Sequence, residues 1–216
     1  MNRSSWAAVV LGLSLSAGVA PAQIIQDRGI RSADPRAWTS LSVGWMSQGS
    51  LCDSDSNACW NFGSAPQFRG TLDMAMGRGA SLGVAATTAK VPLVYNGGIG
   101  TNGCASCDAD ANVSQYLATL HIGGGAGFHQ VIDASVGMTV FSNFRSTSGS
   151  RLGGKAVSDF GFSVGYGFGY ATSDRIQIMI VQDYGLIIHK RQPGTTNNTA
   201  EQRTTRIGVR VGLGNK

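Results

Sequence analysis

The chain has 216 residues, of which only 13 % are charged and 31 are glycine, whereas a soluble domain carries about 25 % charged residues and about 7 % glycine. So little charge weighs against an ordinary water-facing surface. The formal charge of +5, from 17 basic and 12 acidic residues, is mild, and no basic run is interleaved with stacking aromatics, so no nucleic-acid partner is indicated.

A short positive region, Met1–Trp6 with Arg3, precedes the apolar run Ala7–Val19 and an Ala20-Pro21-Ala22 motif. The run is shorter than the roughly 20 residues of a membrane helix, and its A-x-A ending is that of a cleaved secretory signal. Residues 1–22 are therefore expected to be a signal peptide. Residues 23–37, with Asp27, Arg28, Arg31, Asp34 and Arg36, read as a polar lead-in. No later run is long enough for a spanning helix, so a membrane crossing here must use strands.

Alternation with a period of two marks eight strands, at 38–46, 67–76, 80–90, 113–122, 128–141, 157–170, 175–187 and 203–213. The connections at 47–66, 91–112, 142–156 and 188–202 are long, and those at 77–79, 123–127 and 171–174 are short. The expected fold is all-β, an eight-stranded antiparallel up-and-down barrel with short turns at one end and long loops at the other.

The stretch VSDFGFSVGYGFGY, Val157–Tyr170, states the pattern most plainly. Phe160, Phe162, Val164, Tyr166, Phe168 and Tyr170 share one face, and Gly, Ser and Asp159 share the other. A soluble protein could not present that second face to water without inviting aggregation, but a narrow lumen suits it. On the same parity rule Phe68, Leu72, Met74 and Met76 face outward from the second strand. Ile132, Ala134, Val136, Met138 and Val140 do so from the fifth, and Ile207, Val209, Val211 and Leu213 from the last. Arg69, Asp73, Asp133, Asp159, Asp183, Arg206 and Arg210 all take the opposite, lumen parity, where they are expected to form an ion-pair network that plugs the barrel. Asp183 is expected beside both Arg206 and Arg210. Lys90 and Arg203 break parity at strand ends, where they can snorkel, and Gln182 breaks it without an evident partner. Trp45, Phe68, Tyr116, Phe160 and Tyr184 are expected to make an outer aromatic girdle, with Trp38, Phe128 and Tyr170 at the inner one.

The leader, eight alternating strands, short turns and long loops resemble the small outer-membrane β-barrel proteins of Gram-negative-type bacteria, the OmpA-like, OmpX-like and OmpW-like group. The resemblance implies a bacterial outer-membrane barrel over 38–216, with periplasmic turns and lead-in, outer-membrane lipid around it and insertion by the outer-membrane assembly machinery. The family's terminal assembly signal matches Arg206, Gly208, Val211 and Leu213 in spacing, with Leu213 in place of the usual aromatic. A periplasmic peptidoglycan-binding domain after the last strand is not expected, so the cell-wall tethering role of full-length OmpA-like proteins is not implied.

Cys52 and Cys59 fall in the first long loop, Cys104 and Cys107 in the second. In an exported protein these are expected to form disulfides that pin loops, by local closure or, as the rival, across the two loops. Asp53, Asp55 and Asn57 after Cys52, and Asp108, Asp110 and Asn112 after Cys107, repeat C-D-x-D-x-N. Oxygen ligands at alternate positions suit Ca²⁺, but the following Gly and the bidentate Glu of a calcium loop are missing, and solvated turn residues are the plainer reading. Arg145, Arg151 and Lys155 in the third long loop, and Lys190, Arg191 and Arg203 around the fourth, make a basic rim suited to lipopolysaccharide phosphates or simply to water. His121 and His129 sit on lumen parity near Asp133, short of a metal-ligand set. Ser142 and His189 lie at the height where lipid-modifying enzymes of this scaffold work, with no matching motif around them. The expectation is a non-enzymatic, monomeric outer-membrane barrel without a cofactor, whose pinned loops serve envelope integrity or surface binding. The alternatives are a narrow passive channel for small solutes and a soluble lipocalin-like barrel.

Overall fold

Alternation of apolar with small or polar residues runs through nearly every segment that the computed structural model describes, namely residues 35–53, 58–77, 79–97, 106–149, 151–152, 156–189 and 199–214. The expected signal peptide and most of the lead-in lie outside them. The strands are β1 (Ala37–Gln48), β2 (Leu51–Asp53), β3 (Ala58–Phe62), β4 (Ser64–Gly77), β5 (Ala80–Gly97), β6 (Cys107–Ile122), β7 (Gly127–Ser146), β8 (Val157–Ser173), β9 (Ile176–Ile188) and β10 (Thr199–Leu213). β1 and β4 to β10 pair antiparallel in chain order. β1 then zips onto β10 from Ala37↔Leu213 to Gln48↔Gln202, so the wall closes on itself. A closed wall satisfies every strand from both sides and leaves no edge, which is the condition for crossing lipid.

The barrel strands coincide with the eight read from the sequence, but several run further toward the long-loop end. Much of what reads as polar loop at 47–66 and 91–112 is sheet. β5 continues to Gly97, β6 begins at Cys107, and a hairpin of β2 and β3 pairs onto the end of β5, from Ala58↔Gly97 to Phe62↔Leu93. Val91, Leu93 and Tyr95 keep the period of two and point inward, so the pairing extends wherever inward apolar surface can be buried.

Outside and inside are sorted as parity predicts. All six large residues of β8, Phe160 through Tyr170, are exposed, as are Phe68, Leu72, Met74 and Met76 of β4 and Ile207, Val209, Val211 and Leu213 of β10. Leu41 and Phe128 are both 70 % exposed. A continuous belt of this kind is far larger than the apolar patches a water-dissolved monomer tolerates, so the soluble lipocalin-like alternative fails. Gln182, the polar residue on the lipid face, accepts a hydrogen bond from Thr205, its register partner on β10. Trp38 departs from expectation: it turns inward, 9 % exposed, and stacks under Arg210 with the guanidinium carbon 4.6 Å from the ring centre. It is a lumen residue, not part of the inner girdle. Phe128 and Tyr170 are outward as expected.

The glycines of β8 have a steric cause. A Cβ on Gly167 would lie 2.0 Å from the Ile180 carbonyl oxygen, and one on Gly165 would lie 2.2 Å from Asp183 Oδ1. The small face of that strand is therefore set by how closely β9 and its carboxylate approach it. Placing a charge on the opposite face should be costly: Val164→Arg should lower the unfolding free energy in lipid vesicles by about 2–4 kcal/mol, measured by urea titration of the reconstituted barrel.

Candidate functional site

All seven charges placed in the lumen by parity are buried there, the most exposed of them, Asp133 and Asp183, at 7 %. They do not form one continuous network. In the middle of the barrel Arg206 donates through Nε to Asp183 Oδ2 (2.6 Å) and through Nη2 to Asp133, whose other oxygen meets His121 Nδ1 at 2.6 Å. Toward the short-turn end Arg210 donates to Asp73 (3.4 Å) and to the Ser81 hydroxyl, and Thr119 donates to Asp73 Oδ1 at 3.1 Å. Arg210 thus pairs across the lumen with Asp73, whereas the diagonal geometry of β9 and β10 suggests Asp183. Arg69 donates to Ser135 Oγ at 3.0 Å. Asp159 stands apart from the arginines and binds His189 Nδ1 at 2.6 Å, both side chains essentially inaccessible.

Above the ionic layers lies a layer of neutral hydrogen bonds. Gln115 donates to Gln202 Oε1 (2.8 Å) and Thr139 (3.1 Å), Thr87 donates to Gln115 Oε1 (3.0 Å), and Gln67 and Gln202 both reach the sulfur of Met46. Between this layer and Arg69 a void of about 20 Å³ remains, lined by Gln67, Arg69, Gln115, Asp183, Gln202 and Thr204 among others. That is room for about one water molecule. Eight strands enclose little more than their own side chains, and most polar chains filling that space are paired, since an unmatched buried charge is expensive. Arg69, with a hydroxyl as its hydrogen-bond partner and Nε unpartnered, is the exception among the four buried aspartates and three buried arginines of the described residues.

The long-loop end is closed by an apolar plug that the sequence reading missed. Trp60, carried inward by β3, packs on Phe144 (4.7 Å between ring centres), Phe141 (6.0 Å) and the ring of His189 (5.7 Å). Leu51, Tyr95, Leu93, Val91, Val113, Leu152 and Ile187 fill around it. Leu51 and Trp60, two residues at matching positions of an otherwise polar loop, were the available signal. Cys52 and Cys59 are register partners in that hairpin and are disulfide-bonded, as local closure predicts. Cys107 is also in a disulfide; Cys104 lies outside the described residues.

Of the two C-D-x-D-x-N copies, Asp55 and Asn57 lie outside the described residues, and Asp53 is the last residue of β2. Asp108, Asp110 and Asn112 stand on β6, not in a loop, and Asp110 takes Lys90 Nζ at 2.9 Å. Among the described residues no three metal-ligating side chains converge. Of the basic rim, Lys155, Lys190 and Arg191 lie outside the described residues. Arg145 and Arg151 are exposed and face each other across an antiparallel bridge, and Arg203 lies over the Tyr184 ring near Glu201. His129 Nδ1 contacts the Gly127 carbonyl at 3.0 Å.

Removing the guanidinium that holds two carboxylates should be severe. Arg206→Met strands Asp133 and Asp183 and should cost about 3–5 kcal/mol, whereas Arg69→Met strands no carboxylate and should cost less, both read from urea unfolding in vesicles.

No protein-family model and no curated protein sequence matches this chain. Solved structures do. Neisserial surface protein A aligns over 82 % of this chain and 97 % of its own length, with a TM-score of 0.54 and 15 % identity. The N-terminal barrel of Pseudomonas aeruginosa OprF covers 83 % and 98 % (TM-score 0.47, 12 % identity), and OprG of the same organism 85 % and 97 % (0.45, 12 %). With a closed eight-stranded wall, a lipid-facing belt and a filled lumen already in hand, the likeness to the neisserial protein identifies the fold: this chain is a small eight-stranded β-barrel of the bacterial outer-membrane type.

Proposed function

We propose that the protein is a non-conducting, non-enzymatic outer-membrane barrel that works through its long-loop end at the cell surface, in envelope integrity or surface binding. The observation that carries this is the filled lumen. Three stacked polar layers occupy it, with a void of about 20 Å³ between the glutamine layer and Arg69, and the Trp60 plug closes the end where the hairpin folds in. A solute pathway would have to break the Arg206 carboxylate pairs and the glutamine layer together. The closed wall, without a strand edge to share, supports a monomer. The outward belt supports a lipid neighbourhood, and a strand-built membrane protein of this kind needs the outer-membrane assembly machinery to insert, with Arg206, Gly208, Val211 and Leu213 as its signal.

Against catalysis stands the burial of the best candidate base. The side chain of His189 is 0 % exposed, locked to Asp159 and covered by Trp60, so no substrate at the outer leaflet can reach it. With the long loops outside, the exposed chemistry of the molecule is that of its rim.

Heat-modifiable mobility of the outer-membrane fraction on gels should report the folded barrel. In planar bilayers the purified protein should be electrically silent, and Trp60→Ala should stay silent because the layers beneath the plug are intact. Reproducible, solute-dependent openings of the wild type would overturn this reading in favour of a channel.

A further inference from the structure

The described part of the third long connection folds back on β7, and there it does something unusual. Arg145, near the end of β7, and Arg151, just past the turn, are directly opposed in an isolated antiparallel bridge. Leu152 N–H donates to the Phe144 carbonyl at 3.1 Å, which keeps the two segments together. Residues opposed in this way carry their side chains on one face, and like charges so placed repel. Both residues are exposed while their chain neighbours Phe144 and Leu152 are buried in the plug. Burial of those two apolar side chains therefore fixes the pair of cations in place.

The local backbone also aims the first of them. Register slips between Asp110 and Asn112 of β6, so that β7 carries an extra residue, and Asn143 takes a left-handed φ of 56°. In that conformation Asn143 Oδ1 accepts from Arg145 Nε at 3.0 Å. This hydrogen bond occupies Nε and leaves the two terminal nitrogens for another partner. Among the described residues the carboxylates on this side of the rim are Asp110, opposite Arg145 but held by Lys90 at 2.9 Å, and Asp108. With Lys90, Arg145 and Arg151 against these two, the patch of described residues is cationic, and among the described residues neither arginine has an acidic partner of its own.

We infer that Arg145 and Arg151 form a two-guanidinium clamp for a phosphate monoester, their opposition across the Arg145↔Arg151 bridge being relieved when a dianionic tetrahedral group sits between them. Guanidinium forks match such a group bidentately, which an ammonium cannot do. The height is also right. Arg145 lies five residues beyond Val140, the last outward apolar side chain of β7, a rise of roughly 12 Å once strand tilt is allowed for. That places the clamp in the polar layer above the hydrocarbon, where a lipid-borne phosphate or a soluble one can arrive. The inference rests on the reading that the long-loop end works outside the membrane.

The test follows the arginine Nε–Hε resonances of the folded full-length barrel. One arm titrates inorganic phosphate in zwitterionic micelles, and the other compares phosphatidylcholine nanodiscs with and without phosphatidic acid. The Arg145 and Arg151 signals should move in at least one arm. Movement with free phosphate alone identifies a soluble source, and movement only with phosphatidic acid identifies the headgroup. Arg145→Gln and Arg151→Gln should each weaken binding about tenfold, as loss of one charge-assisted contact implies, and Arg→Lys at either position should restore only part of it. Arg203→Gln serves as the control and should bind as the wild type does. Silence of both probes, or an equal loss in Arg203→Gln, would overturn the clamp. Because every variant is first checked for heat-modifiable folding and for silence in planar bilayers, failure here is separate from failure of the closed-barrel reading.

Discussion

Eight strands closed into a ring leave an interior about two side chains wide, and everything else in this molecule answers to that. Closure by β1 on β10 removes the last unpaired backbone groups from lipid, but it also forces every inward side chain into a shared narrow space. A polar chain there cannot be left to water. Arg206 is accordingly clasped by Asp133 and Asp183, Arg210 by Asp73 and the Trp38 ring, and Gln115 by four neighbours at once. Where β9 comes too near, β8 answers with glycine at 165 and 167.

The same constraint divides the lumen into storeys. Within the lipid belt the inward positions are mostly polar and most of their polar groups are paired, although Arg69 Nε, His121 Nε2 and Arg210 Nε are buried without a hydrogen-bond partner. Beyond it, where the strands continue past the membrane, the inward positions turn apolar, and Trp60, Phe141, Phe144 and Tyr95 build a small conventional core. That core does two jobs. It closes the barrel, and it gives the surface hairpin and the segment around Leu152 a rigid seat, so that the exposed residues beside them are displayed in fixed positions. The surface hairpin is thus anchored by burial as well as by the Cys52–Cys59 bridge.

The architecture was legible because its signal is repeated eight times. Each strand restates one rule, apolar out and small or polar in, and a register error would turn a whole strand over. That is why seven charged residues could be assigned to the interior before any contact was known, and why the strand positions agree. The misreadings have equally physical causes. Trp38 resembles a girdle residue by type and height, but parity and the Arg210 cation draw it inside. The plug residues sit in stretches whose Asp, Ser, Asn and Gly content reads as loop, and two or three apolar residues per stretch are too few to establish a period. Asp108 and Asp110 look like loop ligands until β6 is seen to include them.

Alternation, being local, was enough by itself to determine that this chain makes strands, how many form the barrel wall, which way each of those faces and that their oily side must meet something other than water. Which carboxylate holds which guanidinium, that His189 finds Asp159, and that a hairpin from the first long connection brings Trp60 over the barrel mouth were decided only by the tertiary structure. Those contacts join residues from 23 to 137 positions apart across a closed ring. Their distances depend on stagger and tilt, which no single strand carries in its own sequence.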